Sequence, residues 1–378
     1  MRKIIKLLNF IRYLRFFDEK PAKPYYLLVV DGPASISISR LILEANSILD
    51  FKCIVSAHFI TRLKGSDNSL KNSMVGWQFT TVLFGLFRFL CLAKKYKKIP
   101  DISQVTAMSN FECITRYIEN NTHYIKDVIV FNEKNPFTKL AVSTAKKNGI
   151  KTSCIQHGAV VENYFPIFVD RYFTWSEYYS NILQERVPGL NTVCVGRLDY
   201  VEQVNYLATE KNKIPLLVLQ PADVSIAREE LLSQFKIVID VCYKYYDAIA
   251  LRPHPSDNIL PDILSYIGDR KFTIHAGLLG EVLSKYLIVI SLYSTVLLEV
   301  PFYGGLPVQY LENGYLNKLM RRCDLTAESQ MELEDIFNNV MDGVYLSNHL
   351  DFSKKYSNEL MRIGDMNKLF KSLECAGV

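Results

Sequence analysis

Short apolar runs alternate with amphipathic stretches along most of this chain. YYLLVV (25–30) reads as a strand buried on both faces, and PASISISRLILEANSIL (33–49) as the helix behind it. FKCIVSAH (51–58) is the next strand, and an apolar helix runs through 74–96. QVTAMS (104–109) is short and ambiguous. DVIVF (127–131) is a strand, NPFTKLAVSTAKKNG (135–149) a helix closed by Gly149, and IKTSCIQ (150–156) a strand. RYFTW (171–175), a helix near 176–186 and TVCVG (192–196) complete the first series.

A polar stretch, VEQVNYLATEKNKIP (201–215), reads as a domain junction. The alternation then restarts with PLLVL (215–219), a helix over 226–246 and DAIALR (247–252). KFTIH (271–275), a helix over 277–286, LIVIS (287–291) and LPVQY (306–310) follow, and 325–374 reads as helical. Two such series predict two facing, doubly wound α/β domains with mainly parallel sheets and a helical C-terminus. Residues 1–200 would form the first domain and 201–378 the second.

Composition narrows the class. The net charge is +5, from 44 basic and 39 acidic residues, which is too weak and too dispersed to argue for nucleic acid. The eight cysteines lie far apart with no CxxC pair, which argues against zinc and for a reducing compartment. The first twenty residues, MRKIIKLLNFIRYLRFFDEK, carry Lys6, Arg12 and Arg15 among apolar positions. That is a basic amphipathic helix rather than a signal peptide. It either packs on its own domain or lies on an anionic membrane surface. MVGWQFTTVLFGLFRFLCLAKK (74–95) is broken by Arg88, so it predicts a buried or membrane-facing helix and no crossing.

In doubly wound sheets, ligands bind beyond the carboxyl ends of the strands. Four strand ends here carry unusual chemistry. VVDGPAS offers Asp31 and Gly32, although a DG pair also makes ordinary turns. IQHGAV offers His157 and Gly158, with a helix opening behind them and Glu162 one turn later; a neutral histidine there could take a proton from a hydroxyl, and the glycine admits a close approach. LRPHPSD offers Arg252 and a His254 stiffened by prolines on both sides, suited to meeting an anionic oxygen. SLYSTVLLE offers Ser294 and Thr295 where a helix begins, apt for phosphate or for simple capping, and Glu299 one turn in for a ribose. Gln220, in QPADVS after the first strand of the second domain, lies on a further ligand-facing loop. His58, His123, His275 and His349 have no comparable context. GxGxxG after a strand, GxxxxGK[ST] and GxSxG are absent, which makes dehydrogenase, P-loop ATPase and serine hydrolase poor readings, and the absence of DxD weakens a metal-dependent sugar transferase of the single-domain type.

The order HG, then RPHP, then a Ser/Thr pair before a helix resembles the two-domain GT-B glycosyltransferases that build bacterial surface polysaccharides. That group includes bacterial sialyltransferases, polysialyltransferases and CDP-glycerol glycerophosphotransferases. KNPFTKLAVSTAKKNGIKTSCIQHGAVVENYFP and FTWSEYYSNIL are similar to it as well, and the resemblance spans about 127–310. It implies that His254 and Ser294-Thr295 hold the nucleotide of a donor, CMP-type being favoured, and that His157 is the base. The sialyltransferases have an acidic [DE][DE]G motif where this chain has QHG. Asp31 and Glu162 are therefore alternative bases. The implied reaction is inverting, metal-free and cofactor-free transfer of a sugar, sialic acid first, to a lipid-linked glycan in O-antigen, capsule or lipopolysaccharide synthesis. The enzyme would be cytoplasmic, peripheral on the inner face of the cell membrane. Polyol-phosphate transfer, sugar-nucleotide epimerisation in the same fold, and a non-catalytic glycan-binding role are the alternatives.

Overall fold

The computed structural model describes residues 21–46, 49–56, 73, 102–200, 211–222, 226–254, 258–312, 321–340 and 343–375. The expected N-terminal helix and the 74–96 helix lie outside the described residues, as do His58, Pro255 and Ser256. The chain divides into two compact units. The first comprises residues 1–157, 166–200 and 363–378, and the second 158–165 and 201–362.

The sheet of the first unit is built from β1 (Tyr25–Val30), β2 (Phe51–Val55), β3 (Ile125–Val130), β4 (Lys151–Ile155), β5 (Arg171–Thr174) and β6 (Asn191–Cys194). Its spatial order is β2-β1-β3-β4-β5-β6, with every pair parallel. Strand β1 is buried along its whole length, as its unbroken apolar run requires. Helices α1 (Pro33–Ala45), α2 (Ile102–Asn120), α3 (Pro136–Lys147) and α4 (Glu177–Arg186) supply the crossovers. Helix α3 shows why the sequence was legible here. Asn135 accepts a hydrogen bond from the Phe137 N–H at 3.0 Å, Pro136 occupies the first turn, and Lys146 and Lys147 fill the last. The ambiguous 104–109 stretch lies inside α2.

The second unit holds β7 (Leu216–Val218), α5 (Arg228–Tyr245), β8 (Ala248–Arg252), α6 (Leu260–Ile267), β9 (Lys271–Ile274), α7 (Leu279–Leu283), β10 (Ile288–Ser291), α8 (Val296–Glu299), β11 (Leu306–Tyr310) and β12 (Thr326–Ala327). Helices α9 (Gln330–Val340) and α10 (Gly343–Leu360) follow. This sheet is also parallel, in the order β12-β11-β10-β7-β8-β9. Its largest core cluster joins α5 (Leu231, Phe235, Val238) to β8, β10 and β11.

The units depart from the expected 1–200 and 201–378 division in two places. Residues 158–165 belong with the second unit, and Val161 packs against its core. The last helix, α11 (Met366–Cys375), belongs with the first unit. Leu369 and Leu373 enter that unit's core beside Tyr26, Phe51 and Phe173. A polar clamp fixes the helix as well: Arg171 Nη1 donates to the Ser372 carbonyl at 2.6 Å while Arg171 Nη2 meets Asp127 at 2.7 Å, and the Tyr26 hydroxyl donates to the Leu373 carbonyl. An amphipathic pattern tells which face of a helix is buried, not which domain buries it.

The chain re-enters the first unit through a close backbone contact. Asp365 N–H donates to the Val195 carbonyl at 2.7 Å, and Arg197 bridges to Ile363. A Cβ on Gly364 would lie 2.6 Å from Leu198 Cα, and Gly196 (φ +77°) leaves no room before the Ile363 carbonyl. Gly364→Ala should therefore cost about 1–3 kcal/mol by overpacking. A urea midpoint unchanged from wild type would show that the contact relaxes freely.

Candidate functional site

Reversal of strand order opens one crevice per sheet. In the first unit it lies between β1 and β3, and in the second between β7 and β10. The candidate residues are best placed relative to these two points.

In the first unit, Asp31 and Gly32 follow β1 directly at the crevice. Asp31 is buried, and burial raises its carboxyl to about 6, against hydrogen bonds from Ser35 and its own backbone. The Ser35 hydroxyl accepts from the Asp31 and Gly32 N–H groups and donates to the Gly32 carbonyl, which locks the turn. Gly32 has extended backbone (φ −164°), so its place needs no glycine on conformational grounds. His157 follows β4, two strands from β1, an offset of about 10 Å. Its ring is half-buried, and burial lowers its pKa, against a hydrogen bond with the Phe131 backbone and the charge of Asp199. The ring is thus neutral at pH 7 and can accept a proton.

Glu133 follows β3, the strand between those of Asp31 and His157, and was not among the sequence candidates. It is buried, and its carboxyl is raised, first by burial. One oxygen accepts the Phe168 and Val169 N–H groups at 2.7 and 3.1 Å, and the other has no partner. Asp31 and Glu133 both lie close enough to Cys154 for their charges to help push its thiol up, after burial itself. Its signal in sequence was the one used for Asp31: a carboxylate just after an apolar strand.

Gly158 begins the segment that belongs with the second unit, and a Cβ there would sit 3.3 Å from the Tyr164 hydroxyl. No helix opens behind it. Residues 158–161 are irregular, and Glu162 starts a single 3-10 turn, exposed and in the other unit from His157. The expectation of Glu162 one helical turn beyond the histidine is corrected accordingly.

In the second unit, five candidates converge on the carboxyl ends of the adjacent strands β10, β7 and β8. Gln220 is buried, and its side-chain oxygen accepts from the Tyr293 N–H at 3.0 Å and the Ser291 hydroxyl at 3.3 Å. Arg252 ends β8, donates to the His275 carbonyl at 3.0 Å and is half-buried. His254 is exposed two residues beyond. Ser294 and Thr295 lead into α8, which has only four residues before a 3-10 turn over Val300–Tyr303. The Ser294 hydroxyl accepts from the Val296 N–H at 3.3 Å, while Thr295, at the N-cap of α8, makes no side-chain cap hydrogen bond. Glu299 is buried at the end of α8. Of the other histidines, His275 meets the Tyr286 hydroxyl and His349 pairs with Asp324, both structural contacts.

Among the described residues, no group of three His, Cys, Asp or Glu side chains could hold a metal ion, and no helix is long and apolar enough to cross a membrane.

No protein-family model matches the sequence, and a search of curated proteins finds no match. Solved structures do match. The UDP-GlcNAc 2-epimerase of Methanocaldococcus jannaschii, in complex with UDP-GlcNAc and UDP, aligns with a TM-score of 0.62 at 12% identity, over 93% of this chain and all (100%) of that one. The UDP-GlcNAc 2-epimerase of Neisseria meningitidis, bound to UDP-GlcNAc, gives 0.57 at 13%, over 93% and 99%. Anabaena HepE in complex with UDP-glucose gives 0.54 at 10%, over 93% and 98%. The chain has the fold of these enzymes, two Rossmann-like domains of the GT-B type, as the sequence pattern predicted. The bound molecules in these three structures are UDP or UDP-sugars, and none of the three is a sialyltransferase.

The raised Asp31 carboxyl has a consequence for stability. The folded chain holds its proton more tightly than the unfolded chain, so between about pH 4 and pH 6 stability falls as pH rises, and above that window the penalty is constant. Asp31→Asn should be more stable than wild type at pH 7, by about 2 kcal/mol, and should flatten the pH dependence in that window. Urea denaturation at pH 4, 5, 6 and 7 reads this; a variant less stable than wild type at pH 7 would show that the carboxylate is favourably held.

Proposed function

We propose that this protein is an enzyme acting on a nucleotide-activated sugar, with a UDP-sugar as substrate and epimerisation at the carbon beside the anomeric centre as its activity. The observation that carries the reading is the second unit's crevice. Its three adjacent strand ends gather Arg252, His254, Ser294 and Thr295, cationic or hydroxyl groups suited to a diphosphate, around Gln220. Structures of the same fold that hold UDP-GlcNAc or UDP-glucose support the choice of nucleotide.

Epimerisation at that carbon needs one group to take its proton while the anomeric C–O bond breaks and UDP leaves, giving a C1=C2 double bond, and one to return a proton on the opposite face as UDP adds back. It needs no acceptor. The first unit carries groups apt for both roles. His157 is neutral at pH 7, and Asp31 exchanges its proton near pH 6. Glu133, also raised by burial, is the adjoining acid. In this reading Glu299 contacts the ribose, and Gly32 and Gly158 shape the turns that hold the groups.

A second reading, sugar transfer, is favoured by the order of HG, RPHP and Ser-Thr along the chain. In it His157, or else Asp31 or Glu162, deprotonates an acceptor hydroxyl on a lipid-linked glycan. The basic N-terminal segment holds the enzyme at the inner membrane surface. CMP-sialic acid would be the donor.

Calorimetry with UDP, CMP, CDP and GDP, followed by incubation with UDP-GlcNAc alone, separates the readings. UDP should bind best, His254→Ala should weaken it about tenfold or more, and the C2 epimer should appear by NMR without acceptor. Preference for CMP would favour sialyl transfer, and CDP polyol-phosphate transfer. Binding of no nucleotide by the folded protein would overturn the assignment and leave a glycan-binding role.

A further inference from the structure

The peptide group joining Leu292 to Tyr293 lies immediately beyond the last residue of β10 and immediately before Ser294. Both of its polar ends are held by buried glutamine side chains from the two flanking strands. The Tyr293 N–H donates to Gln220 Oε1 at 3.0 Å on the β7 side. The Leu292 carbonyl accepts from Gln309 Nε2 at 2.6 Å on the β11 side. Gln309 lies within β11, opposite Ser291 in the β10 register, and has no exposed surface. Its other side-chain atom, Oε1, accepts the Arg322 N–H at 2.8 Å. The two amides thus add one more rung to the sheet where the backbone ladder has ended.

We infer that Gln309 is a positioning residue for nucleotide binding. It fixes the plane of the 292–293 peptide and, through it, the direction in which Ser294 and Thr295 are presented. The inference rests on the proposed nucleotide role of those two residues. A glutamine is required because the two contacts have opposite polarity: one atom must donate to the Leu292 carbonyl and the other must accept from the Arg322 N–H. Glutamate keeps the acceptor. It can donate only when protonated, and burial among apolar neighbours raises its pKa above the ordinary glutamate value. Gln220, on the other side of this peptide, does not titrate; Arg322 contributes its backbone N–H and carries a buried guanidinium; and the Cys323 thiol, hydrogen-bonded to the Gln309 backbone, is pushed up by burial and stays protonated at both pH 5 and pH 8.

The test is Gln309→Glu, with UDP as the probe. Affinity is measured by calorimetry at pH 5 and pH 8 beside wild type, with melting temperature and hydrogen exchange at the Tyr293 amide recorded in parallel. The expected result is UDP affinity at least about tenfold below wild type at pH 8 and much closer to it at pH 5, with faster Tyr293 exchange only at pH 8. Gln309→Met, which neither donates nor accepts as glutamine does, should lose affinity equally at both values and serves if the glutamate variant unfolds at pH 8. Wild-type affinity in both variants at pH 8 would overturn the inference. So would a Gln309→Glu deficit that is the same at both pH values. Failure of wild type itself to bind UDP would overturn the nucleotide reading first, and this inference with it.

Discussion

Parallel pairing is the constraint on which everything else here depends. It sends every strand's carboxyl end to the same edge of its sheet, and makes each return cross a face of the sheet, through a helix in most cases and through the irregular segment 156–170 between β4 and β5. Where the order reverses, between β1 and β3 and between β7 and β10, neighbouring loops part and backbone groups beyond the last rung lose their partners. Buried side chains take those partners' place. Gln156 accepts the Trp175 N–H beyond β4 and β5 at 2.8 Å, Gln220 and Gln309 hold the peptide beyond β10, and Glu133 accepts from Phe168 and Val169 ahead of β5. Long polar side chains at strand ends are therefore structural, since they hold the loops in which the candidate residues lie.

Much of the fold was legible because its strands are buried on both faces and read as unbroken apolar runs. Strand β1 coincides with YYLLVV, and β11 with LPVQY. What escaped were features set by distant partners. Helix α6 offers few residues for a period to declare itself. QVTAMS, inside α2, is too mixed a pattern to separate helix from strand over six positions. Helix α11 was read as helix, but its docking on the first unit depends on Arg171 and Asp127, some two hundred residues earlier.

The candidate site divided in the same way. Residues that end a strand and carry obvious chemistry, such as Asp31, His157, Arg252 and His254, could be found by position alone. Glu133 obeys the same rule and was passed over because FNEKNPF also reads as an ordinary helix approach. Gln309 was hidden inside a strand. Its only mark was being the single polar side chain in LPVQY, and a polar residue within a buried strand always needs a partner to justify its burial.

The two crevices differ in the buried side chains that hold their loops. Among the described residues just beyond β10, β7 and β8 are Gln220, His254, Ser294 and Thr295, with the carboxylate Glu299 at the end of α8. An N–H such as that of Tyr293 would be satisfied as well by a glutamate as by Gln220. A carboxylate there would repel a phosphate, whereas a neutral amide does not. The first unit makes the opposite choice. Asp31 and Glu133 are carboxyls kept at an energetic cost in a place where amides would be cheaper to bury. A buried carboxyl whose pKa is raised, as that of Asp31 is to about 6, can change its protonation near neutral pH, and an amide cannot. The amides of Gln220 and Gln309 thus complete the second sheet beyond the end of β10 without adding a charge, whereas the first unit keeps two carboxyls that burial alone makes costly.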